Sequence, residues 1–133
     1  WQGIRELMEK VLATYDWGEN FVAGNLVAKI AVDETLRQLG ATGRQFGDPL
    51  VSLMADNQLR DSDRSRRWST AVVEFCSTHE GNNAVISGWI EKWMPLARNA
   101  IETYCAALPE SEGAASKAIA NVEAFHRSLG VSN

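Results

Sequence analysis

The sequence is poor in the residues that carry chemistry, and each scarcity excludes something. It has two histidines, His79 and His126, and two cysteines, Cys76 and Cys105, in 133 residues. H-E-x-x-H and G-x-S-x-G are both absent, as is any C-x-x-C pair. A zinc hydrolase or an α/β-hydrolase nucleophile therefore has no scaffold here. "GATG", residues 40–43, lacks the Lys that a phosphate-cradling loop needs. A basic excess is missing too: the net charge is −4. That disfavours general nucleic-acid binding and anionic membrane surfaces, both of which need positive charge to displace counterions. No apolar run reaches the roughly eighteen residues of a membrane span, and no signal peptide opens the chain. The chain begins at Trp1, within a helical pattern and without an initiating Met, which leads us to expect a fragment of a longer polypeptide, with residues 1–133 as one helical domain.

What is present is a helix former's vocabulary. Apolar residues make up 45% and charged residues 23%, the balance of a globular domain with a core. Periodicity is helical throughout, and nothing alternates long enough for a strand. A first helix is predicted over about 2–14, with Ile4, Leu7, Met8, Val11 and Leu12 on one face. A second is predicted over about 17–38, with Phe21, Val22, Leu26, Ile30, Val32 and Leu36 as its apolar positions, Asp16 as its N-cap, Glu19 reaching back to complete a capping box, and Gly40 and Gly43 ending it. Asp48 and Pro49 form the sharpest start signal, opening a long helix over about 49–79 that "EGNN" stops. A fourth helix, about 84–108, contains Pro95, and a fifth spans about 114–129 before Gly130. Long, wide-striped helices joined by short turns predict an all-α antiparallel bundle.

Candidate sites are few. Glu123 and His126 form the single E-x-x-H, which puts two metal-ligand types on one helix face. A dinuclear carboxylate site needs a second such pair and two further glutamates on neighbouring helices, and no Glu lies three residues before His79. Cys76 and His79 can share a face, but a terminal-turn His beside a buried thiol reads as a cap. Both cysteines are expected to be buried free thiols of a reducing cytosol, with a disulfide between two helices as the alternative. Five tryptophans remain. Trp17, Trp68, Trp89 and Trp93 are candidates for core or subunit interface, the two places where tryptophan concentrates.

The stretch "RDSDRSRRW", residues 60–68, is largely self-neutralising, with Asp61 expected to pair with Arg64, and Asp63 with Arg66 and Arg67. It lies in the middle of a helix that is apolar at both ends. Polar residues there face one another across a bundle, or face a partner chain, and the planar fork of arginine suits either role.

"YDWGENFVAGNLVAKIAVDETLRQLG", "GDPLVSLMADNQLRDSDRSRRWSTAVVEF" and "GNNAVISGWIEKWMPLARNAIETYCAALP", in that order, resemble the carboxyl-terminal part of the hydroxylase β (small) subunit of bacterial multicomponent di-iron monooxygenases. The resemblance implies a ferritin-like bundle that is cytoplasmic and non-catalytic. It also implies a catalytic α subunit holding the di-iron centre, in paired heterodimers with or without a γ subunit. A small regulatory protein and a reductase carrying electrons from NADH complete the system, with no nucleic acid or membrane involved. Asp63 and Arg66 would stand where the catalytic subunit has the Glu and His of its E-x-x-H. With Arg67, Trp68, Trp17, Trp89 and Trp93 they are the candidates for the bundle centre or interface. "ETYCAALPE" leans towards propane and short-alkane oxygenases, with toluene and phenol types next. The rival readings are a helical protein-interaction adaptor and, less favoured, a metal enzyme using Glu123 and His126.

Overall fold

The computed structural model describes residues 1–131. Among these the elements are all helical: α1 Gln2–Leu12, α2 Trp17–Phe21, a π-helical segment Val22–Ala28, α3 Lys29–Gln45, α4 Pro49–Cys76, α5 Asn82–Cys105 and α6 Ala114–Ser128. The central rod is the continuous run of α2, the π segment and α3. It is flanked by α4, α5 and α6, while α1 packs mainly on α5. Leu7, Leu26, Val27, Ile30, Ile101 and Val122 lie at the centre of the core, all fully or almost fully buried.

The rod departs from the expected helix in two ways. First, it contains a π turn, in which the Lys29 N–H bonds the carbonyl of Gly24 five residues back. An extra residue in the turn rotates everything downstream by about 100° relative to an uninterrupted α-helix. Within α3, Ile30, Asp33, Glu34 and Gln38 share the inward face, so Val32 and Leu36, expected inside, are only half-buried, and Asp33, Glu34, Thr35 and Gln38 turn inwards instead. Second, Gly40 and Gly43 do not end the helix, which continues to Gln45. A Cβ on Gly40 would stand 3.0 Å from the Ala55 Cβ, and one on Gly43 would stand 3.0 Å from the Ser52 hydroxyl. These glycines let α3 and α4 approach closely just before the turn, and the turn itself falls at Gly47 (φ +70°).

The α4 start is as the sequence indicates. The Asp48 carboxylate accepts from the N–H groups of Leu50 (3.1 Å) and Val51 (3.0 Å), and Pro49 takes the position that needs no donor. The seam of α4 against α3 is made of small side chains, Ser52, Ala55, Ser62 and Ser69, with Val73 beyond them. The capping box at Asp16 is only half made. Asp16 accepts from the Glu19 N–H (2.8 Å), but the Glu19 carboxylate turns away to the Trp93 indole N–H (2.9 Å) and Lys92 Nζ (2.6 Å). A tertiary partner has outcompeted the local one. Helix α5 runs unbroken through the exposed Pro95.

Candidate functional site

Helix α3 turns a polar face into the bundle, and the residues around Asp33 form its most charged part. Asp33 is 1% exposed. Its Oδ1 accepts from Lys29 Nζ one turn earlier (2.7 Å) and from the Ser62 hydroxyl of α4 (2.8 Å), while Lys29 also touches that hydroxyl. Arg66, one turn beyond Ser62, brings Nη2 to 3.5 Å from Asp33 Oδ2. The other side of its guanidinium lies over the Phe125 ring of α6, 5.5 Å from the centroid. Next to this cluster, Glu34 accepts from Asn121 Nδ2 of α6 (2.8 Å) and Arg37 Nε (3.3 Å). The cluster therefore ties α3, α4 and α6 together through one carboxylate and two cations.

Its donor set does not fit an iron centre. Two positive side chains already occupy the space around Asp33, where a divalent cation would be repelled. The E-x-x-H pair is engaged elsewhere. Glu123 is bonded to Arg98 of α5, and His126 Nε2 stands 2.7 Å from the Leu26 carbonyl of the π segment. A carbonyl only accepts, so the proton sits on Nε2 and that nitrogen cannot ligate a metal. Among the described residues, no group of three His, Cys, Asp or Glu side chains converges on a point that could hold a metal ion.

Burial pushes the His126 pKa down, opposed by the bond to Leu26 and by Glu123. With a folded pKa below its ordinary value of about 6.5, His126 favours folding in its neutral form. That contribution is full above the ordinary value and is lost as pH falls through the lower folded one. His126→Gln, which keeps a donor for Leu26 but cannot titrate, should flatten the stability–pH curve below about pH 6.5. Urea midpoints across that range check it.

The remaining candidates separate. Asp63 stands on the exposed side of α4, while Arg66 turns inwards to Asp33. The expected pairs of Asp61 with Arg64, and of Asp63 with Arg66 and Arg67, are not made among the described residues; Arg67 instead donates to the Asp63 backbone carbonyl at 3.4 Å. Trp93 is 5% exposed and is a core residue. Trp17 is 80% exposed, and with the partly buried Trp89 it borders an apolar cleft of about 190 Å³ that also takes in Phe21, Val72, Cys76 and Ile86. Trp68, 56% exposed, packs edge-on against Phe21 at 5.6 Å. Cys105 is buried, whereas Cys76 is only partly so, and both thiols are free.

Asp33, Lys29 and Ser62 escaped the sequence reading. A signal was there: Val22, Leu26, Ile30 and Asp33 follow one another at helical spacing, so a carboxylate interrupts an apolar stripe with a lysine one turn before it.

Comparison with known proteins places this architecture. The profile of the methane/phenol/alkene hydroxylase family matches residues 1–80. The chain belongs to that family. This hydroxylase-family chain is similar to the β subunit of the hydroxylase component of the toluene-4-monooxygenase system of Ectopseudomonas mendocina. The two are 48% identical over 109 residues, which cover 81% of this chain and 33% of that subunit. It is also similar to the hydroxylase small subunit of propane 2-monooxygenase from Gordonia sp. (strain TY-5), with 28% identity over 106 residues, covering 73% and 28%. The chain spans about a third of the length of these curated relatives. Its all-helical architecture fits the ferritin-like bundle of the family. No helix among the described residues is long and apolar enough to cross a membrane.

Proposed function

We propose that this chain is the carboxyl-terminal portion of the small subunit of a hydroxylase that inserts one oxygen atom from O₂ into a small hydrocarbon, and that its own part is non-catalytic. The observation that carries the reading is the engagement of every candidate ligand by another protein group. Arg98 holds Glu123, the Leu26 carbonyl holds His126, and Lys29 and Arg66 stand around Asp33. A bundle of the hydroxylase family whose centre is filled by ion pairs acts as a support for a metal-bearing partner. That partner is a larger catalytic subunit holding the di-iron centre, in paired heterodimers. A reductase supplies electrons from NADH, a small regulatory protein joins the system, and the whole works in the cytoplasm. The greater identity with the toluene-system subunit puts an aromatic ring ahead of the short alkane that the sequence tail suggested.

Purification of the full-length small subunit from its native source tests this. A larger subunit should co-purify, with iron in proportion to it, and the small subunit should carry none once the two are separated. A separated small subunit that keeps stoichiometric iron, or oxidises toluene unaided, would overturn the reading. Purification without any larger companion would favour the adaptor.

A further inference from the structure

The widened turn of the rod is gripped by side chains as well as by backbone. Its own ladder ends with the Lys29 N–H on the Gly24 carbonyl. Asn25 folds its amide back onto the Phe21 carbonyl at 3.2 Å. A closer grip comes from α6, where His126 Nε2 donates to the Leu26 carbonyl at 2.7 Å. Leu26 is fully buried, so bulk water cannot stand in for that donor. A π turn is rare, and the same residues would ordinarily wind as α-helix. A contact in the fold must therefore select the wider turn.

Helix α6 also touches what the turn brings into place. The 3.6-residue repeat decides which residues of α3 share a face. The π turn decides where that face points relative to the start of the rod. Lys29 is the first residue after the turn and Asp33 lies one turn on, and both reach Ser62 of α4. Winding the segment as α-helix would carry them about 100° round the axis, away from Ser62 and Arg66. Phe125, next to His126, lies against the Arg66 guanidinium at 5.5 Å. One residue of α6 thus holds the turn, and its neighbour holds the cation that the turn brings opposite Asp33. These contacts join groups within this chain, and none depends on an exposed face.

We propose that His126 is the pin that holds the π turn in the rod, and through it the register that sets Asp33 against Ser62 and Arg66. The single E-x-x-H of the chain then has a conformational role, with the His as a positioning residue. This goes beyond the functional reading above and does not depend on what the complex catalyses.

Amide hydrogen exchange in the full-length subunit, assembled with whatever co-purifies, tests it. His126→Ala should speed exchange from Leu26 to Asp33 by about tenfold, the effect of stranding one buried carbonyl. His126→Gln keeps a donor and should hold the same amides within about twofold of the unsubstituted protein. Unchanged exchange in the alanine variant, or glutamine as fast as alanine, would show that the donor does not hold the turn. The deciding variant removes Asn25. With the extra residue gone the rod can wind as continuous α-helix and still present Asp33 to Ser62, so no pin is needed. His126→Ala in that background should then add less than about twofold. The same tenfold acceleration in both backgrounds would mean that His126 serves only as packing, and the proposal would be wrong. Should His126→Ala unfold the chain, circular dichroism of the combined variant decides. Refolding on removal of Asn25 supports the pin, and a chain still unfolded overturns it. Unfolding on removal of Asn25 alone overturns it too, since packing along the rod would then demand the turn.

Discussion

Asp33→Ala should lower the stability of the purified protein by about 3–5 kcal/mol, the cost of removing one partner from a buried ion pair. For a domain of this size the melting temperature should fall by something on the order of 10–15 °C. The loss has three parts, and they can be separated. The carboxylate itself is fully buried, so nothing replaces it as an acceptor for the Ser62 hydroxyl. Lys29 and Arg66 keep about a third of their side-chain surface in water (34% and 28%), so the lysine can swing outwards at modest cost. Arg66 is less free, because its guanidinium lies between α4 and the Phe125 ring. Asp33→Asn keeps the shape and an acceptor for Ser62, and should lose less. Arg66→Met in the Asp33→Leu background should recover much of the loss, since apolar residues of similar volume often replace a buried pair without penalty. A double-mutant cycle on urea midpoints reads the coupling. Asp63→Ala, on the exposed side of the same helix, should move the midpoint by less than about 0.5 kcal/mol.

The contrast between Asp33 and Asp63 marks how far the sequence could be read. Signals that act locally were legible. Asp48 and Pro49 start α4 because a carboxylate and a missing N–H satisfy the first turn in any surroundings. The helical class and the division into long helices follow from periodicity that no tertiary contact reverses. What escaped was set by partners distant in sequence. Gly40 and Gly43 are common helix stops, and only the closeness of Ser52 and Ala55 turns them into packing positions inside α3. Val32 and Leu36 were placed inside because they are apolar, although Ile30, Asp33 and Glu34 are the residues that share the inward face of α3 at 3.6 residues per turn. The i,i+3 and i,i+4 partners given to the arginines of "RDSDRSRRW" assumed that charges pair within their own helix. Arg66 finds its carboxylate on α3 instead, across an interface of small residues narrow enough for it to reach.

Glu19 and Trp93 lead to the second large effect by the same logic. Trp93→Ala should cost about 3–5 kcal/mol, because the indole is 5% exposed and its removal leaves a cavity between α5 and the start of the rod. Trp93→Phe keeps most of the volume and removes only the N–H, and about 1 kcal/mol is expected. The two substitutions therefore separate packing from hydrogen bonding at one position. The carboxylate supplies an independent check. Lys92 first, and the Trp93 indole second, hold the Glu19 pKa below the usual carboxylate value. A depressed carboxylate pKa stabilises the fold above the ordinary value of about 4.5, and the contribution disappears as pH falls through the lower folded one. Trp93→Phe should raise the Glu19 pKa only in part, since Lys92 remains 2.6 Å away, and Lys92→Met should raise it further. NMR titration of the Glu19 carboxyl distinguishes them. A larger rise from the phenylalanine than from the methionine would mean that the indole, rather than the exposed ammonium, governs this carboxylate.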